Sequence, residues 1–167
     1  MNFVKRESES SMGIRLLDAD HKEIAGLIGQ LRASIEGNGD RRLARETLSR
    51  LAIVTRTHFA LEEGLMASTK YPDYAPHRKC HQQLLQQLDG FISLYFKGEL
   101  TIDRDSLGFL FVWFAAHSGS DDAQYAGWLA GRDVAPGQID VSMLPAGGRT
   151  SSEEPGKNRN GSPRSWC

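Results

Sequence analysis

Read as hydrophobic and polar positions, the chain shows a helical period four times and no alternation that supports a strand. From Asp18, a plausible N-cap, apolar residues fall at Ile24, Leu27, Ile28, Leu31 and Ile35. That three-and-four spacing marks one buried stripe, which Gly37 and Gly39 end. Asp40 is placed to cap a second helix with the stripe Leu43, Leu48, Leu51, Val54, His58, Leu61 and Leu65. The segment Thr69 to Pro76 carries two prolines and breaks the pattern. A third helix follows, capped by Asp73, with Pro76 tolerated in its first turn. It carries His77, His81, Leu84, Leu88, Phe91, Ile92 and Tyr95 and ends near Gly98. The fourth starts near Asp105 and is the most aromatic: Leu107, Leu110, Phe111, Trp113, Phe114, His117, Tyr125 and Trp128, fading by Arg132.

Four helices with short connections predict an all-α protein, an up-down-up-down antiparallel four-helix bundle over residues 17–132. Residues 1–16 are polar and read as a flexible arm. Residues 133–167 mix Gly, Pro, Ser and balanced charge with no sustained period, and read as a disordered C-terminal tail.

Composition adds mostly exclusions. At 167 residues the chain suits one domain with a real core. A net charge of −1 offers no electrostatic case for nucleic acid or an anionic membrane. The start, MNFVKRESESSMG, is not a secretory signal, and no apolar run approaches a membrane span. Cys80 and Cys167 form no CxxC unit, so neither a zinc cluster nor a disulfide framework is signalled. The expectation is a cytoplasmic monomer with no nucleic-acid or membrane partner.

The histidines carry the chemistry. In His58–His81, His58 and Glu62 sit four apart, as do His77 and His81, so each pair lies on one helical face. His21 opens the first helix, and His117 lies in the second half of the fourth. In an antiparallel bundle these places all lie towards the same end, so all five histidines of the chain converge at one level of the core. An apolar core does not tolerate so many imidazoles unless something satisfies their nitrogens. Imidazole plus carboxylate without thiolate suits iron, manganese or zinc. Five imidazoles exceed what one ion with an open position takes, whereas two carboxylate-bridged ions would use them all.

These residues resemble the hemerythrin-like proteins, and the bacterial single-domain bacteriohemerythrins in particular. The likeness covers about Asp18 to Arg132 and rests on four motifs in order. They are D-x-x-H (Asp18, His21), H-F-x-x-E-E-x-x-M (His58 to Met66), Y-P-x4-H-x3-H (Tyr71 to His81) and W-x3-H-x4-D-x2-Y (Trp113 to Tyr125). The resemblance implies two iron ions bridged by an oxo or hydroxo group. His77, His81 and His117 would hold one, His21 and His58 the other, and Glu62 with Asp122 would bridge them. Counting ligands then leaves one open position, where O2 as ligand would bind. The implied function is reversible dioxygen binding, as carrier, store or sensor, with no catalytic residues and no enzymatic role.

Helix geometry alone favours Asp121 over Asp122, since four residues from His117 turn about 40° and five about 140°. The family spacing favours Asp122, and Gly119 could permit a local widening of the helix. Asp121 remains the alternative. Trp113, Phe114 and Phe111 would wall a dry pocket, or serve as plain core aromatics. Asp20, Glu63 and Asp121 could orient ligand imidazoles, although solvated surface charges are the commoner role of such residues. Met66 and Leu61 read as core filling, and Cys80 as pointing away from the site. Ser118 and Phe114 depart from the aliphatic residues of the family pattern. Two rival functions stay open: a di-iron enzyme reducing nitric oxide or peroxide, and a redox- or oxygen-signalling module acting through a partner. A metal phosphohydrolase of the HD type is disfavoured, because Asp20-His21 has no adjacent His-Asp dyad beside it.

Overall fold

Local signals account for the four helices of the computed structural model: α1 (Arg15–Glu36), α2 (Arg41–Thr69), α3 (Tyr74–Lys97) and α4 (Arg104–Ala130). The structure describes residues 15–36 and 40–132, without the side chains of Arg15, Leu16 and Ile35. The expected arm (but for its last two residues), the tail and the stop at Gly37 and Gly39 lie outside the described residues.

Asp40 caps α2 as expected, its carboxylate accepting from the N–H groups of Arg42 and Leu43 at 2.9 and 3.1 Å. Asp73 occupies the N-cap position of α3, but its side chain makes no capping hydrogen bond. Pro76 sits in that helix's first turn, where its missing N–H is harmless. α4 starts at Arg104, one residue ahead of the expected Asp105, with Asp103 as its N-cap. Asp103 and Ser106 exchange side-chain and backbone hydrogen bonds at 2.8 Å each, a capping box with serine in the usual Glu/Gln place. α1 begins three residues ahead of Asp18, which lies in its first turn, where a negative charge suits the helix dipole. Gly98, at φ 80°, closes α3 in the left-handed region that glycine favours.

One stripe residue was misread. Leu43 is 46 % exposed. The buried face of α2 instead runs through Ala44, Thr47, Leu48, Leu51, Thr55, His58, Phe59 and Glu62. Small and polar members hide that period from a hydrophobic reading.

Each helix packs against two others in a ring, α1–α2, α2–α3, α3–α4 and α4–α1. The resulting core has two apolar parts. The larger includes Ile24, Leu31, Leu48, Leu51, Leu84, Leu88, Leu110 and Trp113. The smaller comprises Leu17, Leu61, Leu65, Met66, Tyr71 and Tyr125, so Leu61 and Met66 are core as expected. On α1 and α3 the smaller cluster precedes the histidines, and on α2 and α4 it largely follows Glu62 and Asp122. It therefore closes one end of the bundle, and the histidine level lies between the two apolar parts. No helix among the described residues is long and apolar enough to cross a membrane.

Candidate metal centre

All five histidines meet, and all are buried, with Glu62 and Asp122 fully so. Ligand atoms of Glu62, His77, His81, His117 and Asp122 lie within 4.8 Å of one another, and so do those of His21, His58 and Asp122. Asp122 belongs to both groups, whereas Glu62, the other bridge implied by the resemblance, belongs only to the first.

The imidazoles turn Nε2 inward. Those of His81 and His117 are 3.0 Å apart, and those of His21 and His58 are 3.1 Å apart. Asp122 divides its carboxylate between the groups. Oδ1 lies 3.0 Å from His117 and 3.2 Å from His77, while Oδ2 lies 3.1 Å from His21 and 4.0 Å from His58. Glu62 Oε2 approaches His81 at 3.3 Å and His77 at 3.6 Å. Glu62 thus leans towards the three-histidine group, whereas Asp122 spans both.

Asp122 reaches this place without the local widening that Gly119 could permit, since α4 is α-helical throughout. The buried arc of α4 is simply broad. It runs from Trp113, about 40° to one side of His117, to Asp122, about 140° to the other. Asp121 takes a different part, its Oδ2 lying 3.3 Å from the outward Nδ1 of His117. Glu63 Oε1 lies 3.0 Å from Nδ1 of His81, and its other oxygen lies 3.3 Å from Arg78. Both carboxylates are therefore more than surface charges: each fixes a ring so that Nε2 presents its lone pair inward. Asp20 stands 3.6 Å from Nδ1 of His58, too far for a hydrogen bond.

In the electrostatics, burial and the charges of neighbouring groups oppose one another. Burial works against a charged His77, yet Asp122 and Glu62 push its pKa up to about 9. His117 is also desolvated, and Asp122 and Asp121 push it up to about 10. Burial and Asp122 favour a protonated Glu62, but hydrogen bonds from His77 and His81 hold it below the usual carboxylate range. Asp122 is held well below that range, because His117, His21 and His77 outweigh burial. Even so, both oxygens of Glu62, both of Asp122 and Nε2 of His77 lack a well-formed hydrogen bond among the described residues. Orphaned buried carboxylates at the focus of five imidazoles fit a pair of cations bound by nitrogen and oxygen.

Phe59 is a neighbour of the cluster to which sequence reasoning gave no role. Its ring stacks on His81, centroids 3.8 Å apart and planes 4° from parallel, and meets His117 edge-on at 5.2 Å. Its place next to His58 was visible, but α2's true buried face was needed to give it a role. Trp113 is buried, while Phe111 and Phe114 are half-buried against the larger apolar cluster. Phe114 stands edge-on to His21 at 5.6 Å. Tyr125 is fully buried beside Thr69 Oγ1 at 3.2 Å, and burial pushes its pKa up to about 12. The Cys80 sulfur lies 3.5 Å from Nδ1 of His117. It is held in a disulfide, against the sequence expectation, and so offers no thiolate.

The profile described as the hemerythrin HHE cation binding domain matches residues 12–129. The chain belongs to the hemerythrin family. A bacteriohemerythrin of Pseudomonas aeruginosa is 29% identical over 119 residues, covering 71% of this chain and 76% of that protein. Myohemerythrin-1 of Phascolopsis gouldii is 27% identical over 113 residues, covering 68% of this chain and 83% of that one. A crystal structure of wild-type hemerythrin superposes with a TM-score of 0.65 at 25% identity, covering 70% of this chain and 89% of that chain. The hemerythrin match begins just ahead of α1 and ends within a residue of α4's last, so it spans the whole bundle.

Proposed function

We propose that this hemerythrin domain holds a carboxylate-bridged, non-haem di-iron centre and binds dioxygen reversibly, as an O2 carrier, store or sensor. His77, His81 and His117 hold one ion, His21 and His58 the other, and Glu62 and Asp122 bridge them. When bound, the iron pair would supply the electrons with which dioxygen is held. The protein's own part is to orient and to exclude water. Glu63 and Asp121 hold the rings of His81 and His117 in place, and Phe59 fixes the plane of His81. The two apolar clusters on either side keep bulk water from the site.

One observation carries the reading: the two oxygens of Asp122 face different histidine groups, 3.0 Å from His117 on one side and 3.1 Å from His21 on the other. A single-ion site has no use for that division. The test is the optical spectrum of iron-loaded protein, reduced under argon and then opened to air. A colourless reduced form that gains a ligand-to-iron charge-transfer band, lost on purging with argon, is the expected outcome. Rapid conversion to a plain ferric spectrum would favour reduction of peroxide or nitric oxide instead. One zinc per chain and no iron-dependent absorption would overturn the di-iron reading.

A further inference from the structure

One covalent feature of the fold has no part in the proposed function. Cys80 is held in a disulfide. The chain contains two cysteines, and the other, Cys167, lies past the end of α4 and outside the described residues. Within one chain the bond therefore joins Cys80 to Cys167. It ties the segment beyond α4 back to α3 and closes a loop that contains the whole of α4. A lone bond in a chain with its own apolar core is not the framework on which small disulfide-rich domains depend.

The α3 end of this bond is set against the metal centre. Cys80 is 3% exposed, packs in the larger apolar cluster and immediately precedes His81. Its sulfur lies 3.5 Å from Nδ1 of His117 and 3.8 Å from Oδ2 of Asp121. That oxygen is the one that backs the His117 ring, at 3.3 Å. A disulfide sulfur carries no proton and leaves Oδ2 to the ring, whereas a thiol carries one and can donate it. The oxidation state of Cys80 thus decides whether Asp121 meets one donor or two.

We propose that the Cys80–Cys167 disulfide is a site of reduction by dithiols, and that the thiol freed at Cys80 loosens the hold of His117 on the metal. The consequence for the metal rests on the di-iron reading above; the reducible bond does not. A thiolate of the dithiol attacks the sulfur of Cys167, because burial closes that of Cys80, and Cys80 leaves and takes up a proton. The dithiol's second sulfur then displaces Cys167 from the mixed disulfide. Two electrons and two protons have passed to the protein, leaving two thiols and one oxidised, cyclic dithiol. The Cys80 S–H then competes with the N–H of His117 for Oδ2 of Asp121, and the ring is presented less firmly to the metal.

Peptide mapping of the full chain without reductant is expected to find Cys80 and Cys167 in one linked fragment, which dithiothreitol separates. Ferrous-loaded protein, treated with dithiothreitol and desalted under argon, is expected to show an iron dissociation constant about ten-fold above that of the untreated form, by competition with a chromophoric chelator. Cys167→Ser leaves Cys80 as a thiol and should bind iron as weakly as the reduced protein, with or without dithiothreitol. Cys80→Ala removes bond and thiol together and should hold iron as tightly as the oxidised protein. A bond that acted only as a tether would make Cys80→Ala as weak as Cys167→Ser, and that result overturns the role given to the thiol. Equal iron constants in the oxidised and reduced protein overturn it too. Alkylation of both cysteines in denatured, unreduced protein overturns the bond and the whole proposal. A linked fragment in a chain that takes up no iron would instead overturn the di-iron reading and the metal-side half of the proposal, with the reducible bond established.

Discussion

The two halves of this bundle are built from the same helices and solve opposite problems. Away from the histidines, Leu31, Leu48, Leu88 and Leu110 are almost wholly buried and ask only for close packing. About two to four turns away on the same helices, His21, His58, Glu62, His77, His81, His117 and Asp122 are as deeply buried and cannot satisfy one another. The first half is held by apolar packing. The second is a set of nitrogen and oxygen atoms aimed at a common focus and held there by packing on both sides. Stability and function thus occupy adjacent layers of one core, and the same burial that stabilises one makes the other demanding.

This contrast can be broken most sharply at Asp122. Asp122→Ala is expected to abolish paired iron binding, with iron content falling from about two per chain to one or none in a colorimetric assay. Retention of two irons would show that Glu62 alone bridges. Leu48→Ala, in the other half, is expected to cost about 2–5 kcal/mol by denaturant titration and to leave iron content unchanged. Removing the metal should act in the complementary way. Holding free iron about 100-fold above its dissociation constant stabilises the fold by about 3 kcal/mol, and chelation should remove that. Amide exchange should then accelerate first around the histidines rather than around Leu48 and Leu88.

A smaller effect sharpens the electrostatic side. His77 and His117, raised to about 9 and about 10 in the metal-free protein, both carry a proton at pH 7.5. Metal binding needs their neutral forms, so loading should release about two protons into a weakly buffered indicator solution. Release should shrink as pH rises through those values, and its absence would mean that the carboxylates do not hold protons on these rings. The smallest effects lie in the supporting contacts. Glu63→Gln should weaken metal affinity about 10- to 100-fold through His81. Arg56→Ala breaks an exposed ion pair with Asp89 and should change stability by no more than about 1 kcal/mol, with no effect on metal.

Much of the fold was legible because helices announce themselves locally. Asp40, the break at Thr69 to Pro76 and the stop at Gly98 are short-range signals, and α2 and α3 begin and end where these lie. The reading slipped where the buried face was not hydrophobic. Leu43 was placed inside, while Thr47, Thr55 and Phe59 were passed over, because the stripe of α2 is partly polar. The start of α4 was placed to within a residue, but its N-cap Asp103 was not recognised because serine stands in for the usual partner in the capping box.

For the site, the order of the helices and the places of the histidines within them were enough to bring all five to one level. That follows from antiparallel topology, which is written in the chain as four helices with short connections. What required the tertiary structure was the division of labour between neighbours a single residue apart. Glu62 and Glu63, and likewise Asp121 and Asp122, are chemically equivalent in the sequence. Which of each pair faces the focus, and which backs a ring from outside, depends on side-chain direction within a buried arc. A residue type and a spacing determine what a side chain can do, but only the packing around it decides which of its partners is within reach.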